Sequence, residues 1–376
     1  MKSVLLVNSL RFPDGDAGAV RVYTFAKALK ELGYNVEVIT KGCGDGQVNY
    51  DGIPFKSFYS NGIKAGVLFL KNIKNYLDSL INGKKIDFII GYGSDLYLII
   101  FLKYWCKRHS VTFICDVVEW YSKSQFKHPY INSIYLKKQI LNKYVLSKNT
   151  RIIAISRYLE TYYKNKGCLT VRIPILFYSR AATLREFHSG LKLSLVYAGS
   201  PGKKDYIYNI IKGLSLLSNE ELRRIEFTVF GIQPGVLESN IDEQTFSKVK
   251  DILKIKGIQS RKTVIDAYSG CDFSVLLRDP SLRVSKAGFP SKVIECMGYG
   301  VPMICNLSSD LADFIVNGVT GIIVADNSAC AFADAVRYAL TLDIADKENI
   351  KKNAYLCVHD KFNIMSYAAG FKKILS

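Results

Sequence analysis

The sequence predicts an α/β protein built from two doubly wound parallel-sheet domains, and three observations predict it. Short apolar runs alternate with segments of helical periodicity, one polar stretch interrupts the series, and 376 residues are more than a single core usually organises. The opening unit is SVLLVNS, then AGAVRVYTFAKALKELG, then YNVEVIT, a strand, helix, strand series whose helix stops at Gly33. Further strands are expected at DFIIGYG, VTFICDV and TRIIAIS, each followed by a helical segment. The polar stretch FYSRAATLREFHSGLK places a boundary near residue 186, giving domains 1–185 and 186–376. Beyond it come LSLVYAGS, EFTVFG, DFSVLLR, VPMICN and TGIIVA, then three helical patterns, the last of which, FNIMSYAAGFKKILS, can pack back on the first domain. In such sheets ligands bind outside the carboxyl ends of the strands, so the loops after LLVNS, ICDV, VYAGS, VFG and LLR are expected to line the site.

Composition narrows the function classes. No run of about 18 uninterrupted apolar residues occurs, because the best candidate contains Asp87, Asp95 and Lys103, so a transmembrane helix is not expected. The N-terminal apolar run is broken at Asn8 and is short for a secretory signal, which makes the cytoplasm the expected compartment. Nine cysteines without a CxxC pair indicate neither a zinc site nor a disulfide framework. The net charge of +18 is unevenly held: residues 1–185 carry 28 Lys and Arg against 12 Asp and Glu, the remainder 23 against 21. The densest part surrounds a helical pattern, INSIYLKKQILNKYVLSK, with Lys137, Lys138, Lys143 and Lys148, followed by Arg151. A basic face with apolar and tyrosine neighbours suits an anionic membrane surface or a phosphate-bearing acceptor. Nucleic acid and a merely solvated face are the rival readings.

Most of the candidate chemistry lies between Arg278 and Asn306. Pro290 can begin a helix directly after a strand-end loop, which puts Ser291 and Lys292 in its first turn. Unpaired amides, the positive end of the helix dipole and an ammonium together suit a diphosphate. Glu295 lies one turn further in, where a carboxylate's two oxygens match a ribose diol. A helix start decorated with one glutamate is the plainer alternative. In AGSPGKKD, Gly199 and Gly202 allow close approach of the backbone, and Lys203 or Lys204 can reach a phosphate, with Ser200 beside them. Arg278 closes an apolar strand, so its guanidinium is expected to emerge at the strand end, either to stabilise phosphate or to pair with an acid such as Asp279. The strand VTFICDV ends in Asp116, followed by Glu119 and Trp120, where a carboxylate could orient a hydroxyl or serve the fold.

Phe289, Pro290, Ser291, Lys292, Val293, Ile294 and Glu295, followed by Gly300, Val301 and Pro302, resemble the donor site of family 4 (group 1) retaining glycosyltransferases of the bacterial polysaccharide-assembly type. The opening LRFPDGDAGAVRVYTFAKALKELGYNVEVIT, with Gly18 in its glycine-rich loop, is similar to the family's first unit, so the resemblance spans most of the chain. It implies the GT-B fold, two Rossmann-like domains facing across a cleft, the first for the acceptor and the second for a nucleoside-diphosphate sugar, and transfer with retention of configuration. On this resemblance Gly18, Gly199, Ser200, Lys203, Lys204, Lys286, Phe289, Pro290, Ser291, Lys292 and Glu295 bind the donor. Lys204, Lys292, Arg278 and Asp116 act in catalysis. Asp116, Glu119 and Trp120, within a DVVEWY segment that resembles an acceptor-side motif of related capsule enzymes, hold the acceptor. Many members carry a further glutamate that would fall on Ala287, and Lys286 beside it can supply a different contact.

The resemblance implies neither a cofactor nor a metal, since the leaving diphosphate itself can accept the acceptor's proton. Asp14-Gly15-Asp16 spells the DxD metal motif of other glycosyltransferases, but beside a helix start it reads as a capping and turn sequence. No GxSxG elbow occurs, and His109, His128, His188 and His359 are far apart in the chain. The setting implied is capsule, exopolysaccharide or lipopolysaccharide synthesis, with a glycan or polyprenyl-diphosphate-linked glycan as acceptor, peripherally on the inner face of the plasma membrane. A non-hydrolysing sugar-nucleotide 2-epimerase would share the fold and the phosphate site. A non-catalytic basic binding protein is the other alternative, and no nucleic-acid-binding module is recognisable.

Overall fold

The computed structural model describes residues 1–13, 17–42, 46–59, 65–83, 85–93, 95–178, 192–200 and 204–376. The chain divides into two compact units, Met1–Tyr178 with Ala287–Phe289 and Asn363–Ser376, and Ser179–Lys286 with Pro290–Phe362.

The first unit runs β1 (Ser3–Val7), α1 (Ala17–Glu31), β2 (Asn35–Gly42), β3 (Gly46–Tyr50), β4 (Ile53–Tyr59), α2 (Ala65–Gly83), β5 (Phe88–Tyr92), α3 (Leu96–Arg108), β6 (Thr112–Val117), α4 (Ser133–Ile140), β7 (Arg151–Ala154), α5 (Arg157–Asn165) and β8 (Thr170–Arg172). Its eight-stranded sheet has the order β3-β4-β2-β1-β5-β6-β7-β8 and is parallel except for the β3-β4 hairpin. Alternation along the strands gives it two buried faces. Val4, Leu6, Val38 and Ile90 pack with Phe25 and Leu29 of α1, while Leu5, Val7, Ile39 and Ile89 pack with Ile73 of α2 and Leu102 of α3. The hairpin was not expected from the sequence, although Asp51-Gly52 marks it: both residues have positive φ, the backbone a type I′ turn requires. The basic helical pattern forms a shorter helix than expected, because α4 passes into one π turn at Leu141–Val145. Asp95 caps α3 by accepting from the amides of Tyr97 and Leu98 at 2.9 and 3.2 Å.

The second unit runs β9 (Leu193–Ala198), α6 (Ile207–Ser215), α7 (Asn219–Arg223), β10 (Ile225–Phe230), α8 (Pro234–Glu238), α9 (Glu243–Val249), β11 (Leu253–Gly257), α10 (Arg261–Tyr268), β12 (Phe273–Leu276), α11 (Arg283–Ala287), α12 (Ser291–Gly298), β13 (Met303–Asn306), β14 (Gly321–Val324), α13 (Ala329–Thr341) and α14 (Ile344–Lys361). Its sheet, ordered β11-β10-β9-β12-β13-β14, is parallel throughout. β11 was not foreseen, since Lys254 and Lys256 of this edge strand are exposed and interrupt the apolar run. The two sheets repeat one device. Asp87, just before β5, accepts from the Ser3 amide at 2.8 Å, and Asp272, just before β12, accepts from the Ser194 amide at 2.9 Å. In each sheet the carboxylate thus satisfies a donor at the start of the neighbouring first strand.

The chain ends in α15 (Ala368–Ile374), which belongs to the first unit. Phe371 is fully buried and meets Phe25 edge-to-face at 5.0 Å. Burying such a ring contributes roughly 1.5–3 kcal/mol. Arg151 fixes the end of the helix by donating to the carbonyl of Ile374 at 2.8 Å. Among the described residues no helix is long and apolar enough to cross a membrane.

Candidate functional site

In the second sheet the strand order reverses between β9 and β12, and this switch point is where a doubly wound sheet opens a crevice beyond its carboxyl ends. Gly199 follows β9, Arg278 follows β12, and Lys292 stands in the first turn of α12. One carboxylate gathers the two cations. Asp205 accepts from Nζ of Lys292 at 2.7 Å and from Nε of Arg278 at 2.8 Å, and the Tyr197 hydroxyl donates to it at 3.0 Å. The Lys292 ammonium also lies 4.2 Å from the centroid of the Tyr197 ring. A carboxylate with two cations leaves the cluster with net positive charge.

Burial opposes ionisation of Asp205, but Lys292 and Arg278 outweigh it and hold the carboxyl at about 2. Burial likewise pulls the Lys292 ammonium below its ordinary value, with Asp205 opposing. The backbone conforms to this cluster. Gly199 has φ +148°, and a Cβ there would meet Nζ of Lys292 at 2.6 Å. Gly231, at φ +87°, abuts Gly199 so closely that a Cβ would lie 2.7 Å from its carbonyl carbon. Two glycines therefore let the strand-end loops approach each other and the lysine.

The structure brings Gly199, Lys292 and Arg278 together, but Arg278 is buried rather than emergent, and its partner is Asp205 instead of Asp279. Asp205 was not singled out in the sequence. Its partners Lys292 and Arg278 lie 87 and 73 residues further along the chain, so no local pattern marks it. Pro290 sits at the cap position rather than inside α12, with Ser291 and Lys292 in the first turn as expected. Glu295, one turn on, is held by Arg261, whose Nε and Nη2 both lie 2.7 Å from Oε1. Arg261, at the start of α10, was also missed. Ser200, Lys204 and Lys286 are exposed, Phe289 is buried, and Lys203 lies outside the described residues. Ala287 accepts a hydrogen bond from Ser156 at 2.8 Å through its carbonyl.

In the first unit the switch point lies between β1 and β5. Gly18 is there in the first turn of α1, where a Cβ would lie 2.3 Å from Leu10 and 2.8 Å from the Tyr92 hydroxyl. Asp116, expected at the acceptor, instead closes a buried pair with Arg21, accepting from Nε at 2.8 Å and Nη2 at 2.7 Å. Arg21 spends its other bonds on the carbonyls of Pro174 and Ile173. Asp116 thus ties α1 to β6 and the segment after β8. Glu119 is partly exposed, accepts from the Tyr121 hydroxyl at 2.6 Å and lies 3.8 Å from Nζ of Lys138. Trp120 is buried and donates to Gln139 at 3.2 Å. Among the described residues no group of three His, Cys, Asp or Glu is placed to hold a metal ion, and Asp14 to Asp16 lie outside them.

A parallel sheet whose switch point carries paired glycines, a helix N-terminus and a net positive cluster defines a Rossmann-like domain with a basic strand-end crevice. Residues 187–356, most of the second unit, match the family of glycosyl transferases group 1. The whole chain has the GT-B fold of two parallel-sheet α/β domains. Sucrose-phosphate synthase from Thermosynechococcus elongatus is similar to it over 100% of this chain and 98% of its own, at 15% identity and TM-score 0.76. HepE from Anabaena, solved in complex with UDP and glucose, is similar over 100% and 99%, at 13% identity and TM-score 0.70. WaaG, a glycosyltransferase involved in lipopolysaccharide biosynthesis, is similar over 99% of both chains, at 14% identity and TM-score 0.70. Likeness at such identities is likeness of fold. No curated protein matches the chain in sequence.

Proposed function

We propose that the protein transfers a sugar, with retention of configuration and without a metal, from a nucleoside-diphosphate sugar to a glycan or polyprenyl-diphosphate-linked glycan acceptor in bacterial cell-surface polysaccharide synthesis. The observation that carries the reading is Asp205 holding Lys292 and Arg278 at the switch point of a domain that matches the group 1 family. The similar HepE structure holds UDP and glucose, which supports a nucleotide-sugar donor.

As the bond between sugar and diphosphate breaks, negative charge grows on the diphosphate. Lys292, Lys204 and the first-turn amides of α12 are the groups to stabilise it, and Asp205 keeps Lys292 in place before the charge develops. Glu295 offers its second oxygen to a ribose diol while Arg261 holds the first. Gly18 lets the start of α1 pack closely on Leu10 and Tyr92 at the switch point of the first sheet. On the acceptor side, Glu119 is the better candidate to orient a hydroxyl, since Asp116 is engaged by Arg21.

The test is a thermal-shift screen of purified protein, without metal, against UDP-, GDP-, ADP-, CMP- and dTDP-linked sugars, with Glu295→Ala as control. One nucleotide family should raise the melting temperature and lose that effect in the variant. Product analysis by NMR should then show the anomeric configuration kept. Silence from every donor in the screen, or a free 2-epimer as product, sinks the reading.

A further inference from the structure

We infer that the outer face of α3, α4 and the π turn is a docking surface for an anionic lipid bilayer. The inference deepens the acceptor side of the proposed function and rests on it for its purpose, while its test reads membrane binding rather than transfer.

The face is apolar where a solvated face should be polar. Ile131 is 80% exposed, Tyr144 75% and Ile134 58%, with Ile140 beside them. Across α3 the exposed positions Tyr97, Ile100 and Tyr104 recur at helical spacing. The two helices meet at this surface, since Nζ of Lys137 lies 4.8 Å from the Tyr97 ring centroid. Single exposed apolar side chains need no explanation, but a contiguous set marks an interaction surface.

The core-facing side of the same segment is fully used, so the outer residues are not a misplaced core stripe. Tyr135, Lys138, Leu141 and Leu146 are buried, with Lys138 donating to the carbonyl of Gly93 at 2.7 Å. The platform is also tied down. Lys103 of α3 donates to Val145 at 2.6 Å, and Lys166 donates to Asn142 at 3.0 Å and Lys143 at 2.7 Å, serving carbonyls that a π turn leaves open.

Charge selects the occupant. Between Asp95 and Glu160 the sequence has eleven Lys and Arg and two carboxylates, Asp116, buried against Arg21, and Glu119. Lys107, Arg108, Lys127 and Lys143 are exposed in this span. Exposed basic residues in the same segments as exposed aliphatic ones fit anionic headgroups over acyl chains. Nucleic acid would use the cations and tyrosines but leave Ile131, Ile134 and Ile140 facing water.

The experiment is co-sedimentation of the full chain with vesicles of phosphatidylcholine alone or mixed with phosphatidylglycerol. The wild type should bind the mixed vesicles and bind neutral ones much more weakly. Lys137→Gln with Lys143→Gln should weaken binding on the order of tenfold or more. The charge-neutral set Ile131→Ser, Ile134→Ser and Tyr144→Ser should weaken it by a similar factor, because inserted apolar area is lost. Both variants should keep the wild-type melting temperature. Failure of the wild type to bind anionic vesicles overturns the inference, as does wild-type affinity in the serine set. Self-association that the serine set abolishes, without vesicle binding, overturns it in favour of a second copy. Vesicle binding by a protein that ignores every nucleotide sugar leaves this surface standing and removes the transferase reading.

Discussion

Lys292 and Asp205 lie 87 residues apart in the chain and 2.7 Å apart in the fold, with the ammonium also over the ring of Tyr197. Arg278 completes the arrangement from the end of the strand series, so one carboxylate organises cations from two different elements. Removing that carboxylate should be felt in stability and ligand binding together. Asp205→Asn keeps the shape but leaves two largely buried cations facing each other, a change that typically costs roughly 3–5 kcal/mol. Urea unfolding should show that loss, and the donor-induced thermal shift should vanish. A variant with wild-type stability would mean that the cluster is solvated and does not pre-order Lys292.

The same pair sets an acid limit. Asp205 has its carboxyl lowered from 3.8 to about 2 in the fold, so its stabilisation is complete above the unfolded value and is lost as pH falls through the folded one. Between about pH 4 and pH 2 the protein should lose roughly 2 kcal/mol from this group. In Asp205→Asn that portion of the slope should be absent, which parallel denaturant titrations at stepped pH would reveal.

Gly199→Ala tests the close approach of strand and lysine. Its Cβ would reach Nζ of Lys292, a flexible atom that Asp205 pins, at a backbone angle that L residues rarely adopt. The variant should fold but bind nucleotide sugar at least about tenfold more weakly, a loss of about 1.4 kcal/mol. Isothermal titration against the donor identified by the screen would measure it.

Asp116 and Glu119 should separate cleanly. Asp116→Asn leaves Arg21 buried without its anion and should destabilise by roughly 3–5 kcal/mol, while the double change Arg21→Met with Asp116→Leu should recover much of that. Glu119→Gln, partly exposed, should keep stability and slow transfer at saturating donor. A catalytic deficit in Asp116→Asn without loss of stability would restore Asp116 to the acceptor side.

Reading the chain linearly was informative where chemistry is local. The alternation of Val4, Leu5, Leu6 and Val7 marks a strand buried on both faces, and the Pro290-Ser291-Lys292 run marks a helix start, because both signals lie within a few neighbours. β11 was invisible because Lys254 and Lys256 break its apolar pattern at a sheet edge, where pairing with β10 rather than composition makes the strand. The hairpin was missed although its Asp-Gly turn was written in the chain. Asp205 and Arg261 were missed for a different reason: each acts on a partner 34 or more residues away, and no local period records that separation.

What the sequence determined by itself was the class of fold, two parallel sheets with helices on their faces, and the residue types that can hold a diphosphate at the start of α12. Short-range sterics, side-chain periodicity and helix-end electrostatics are properties of adjacent residues, so they are legible before folding. The tertiary structure alone decided which charges remain available. It turned Arg278 inward onto Asp205, engaged Asp116 with Arg21 and left Ile131, Ile134 and Tyr144 outside. Those outcomes follow from desolvation and pairing across distant segments, and a carboxylate's role depends on which cation the fold places beside it.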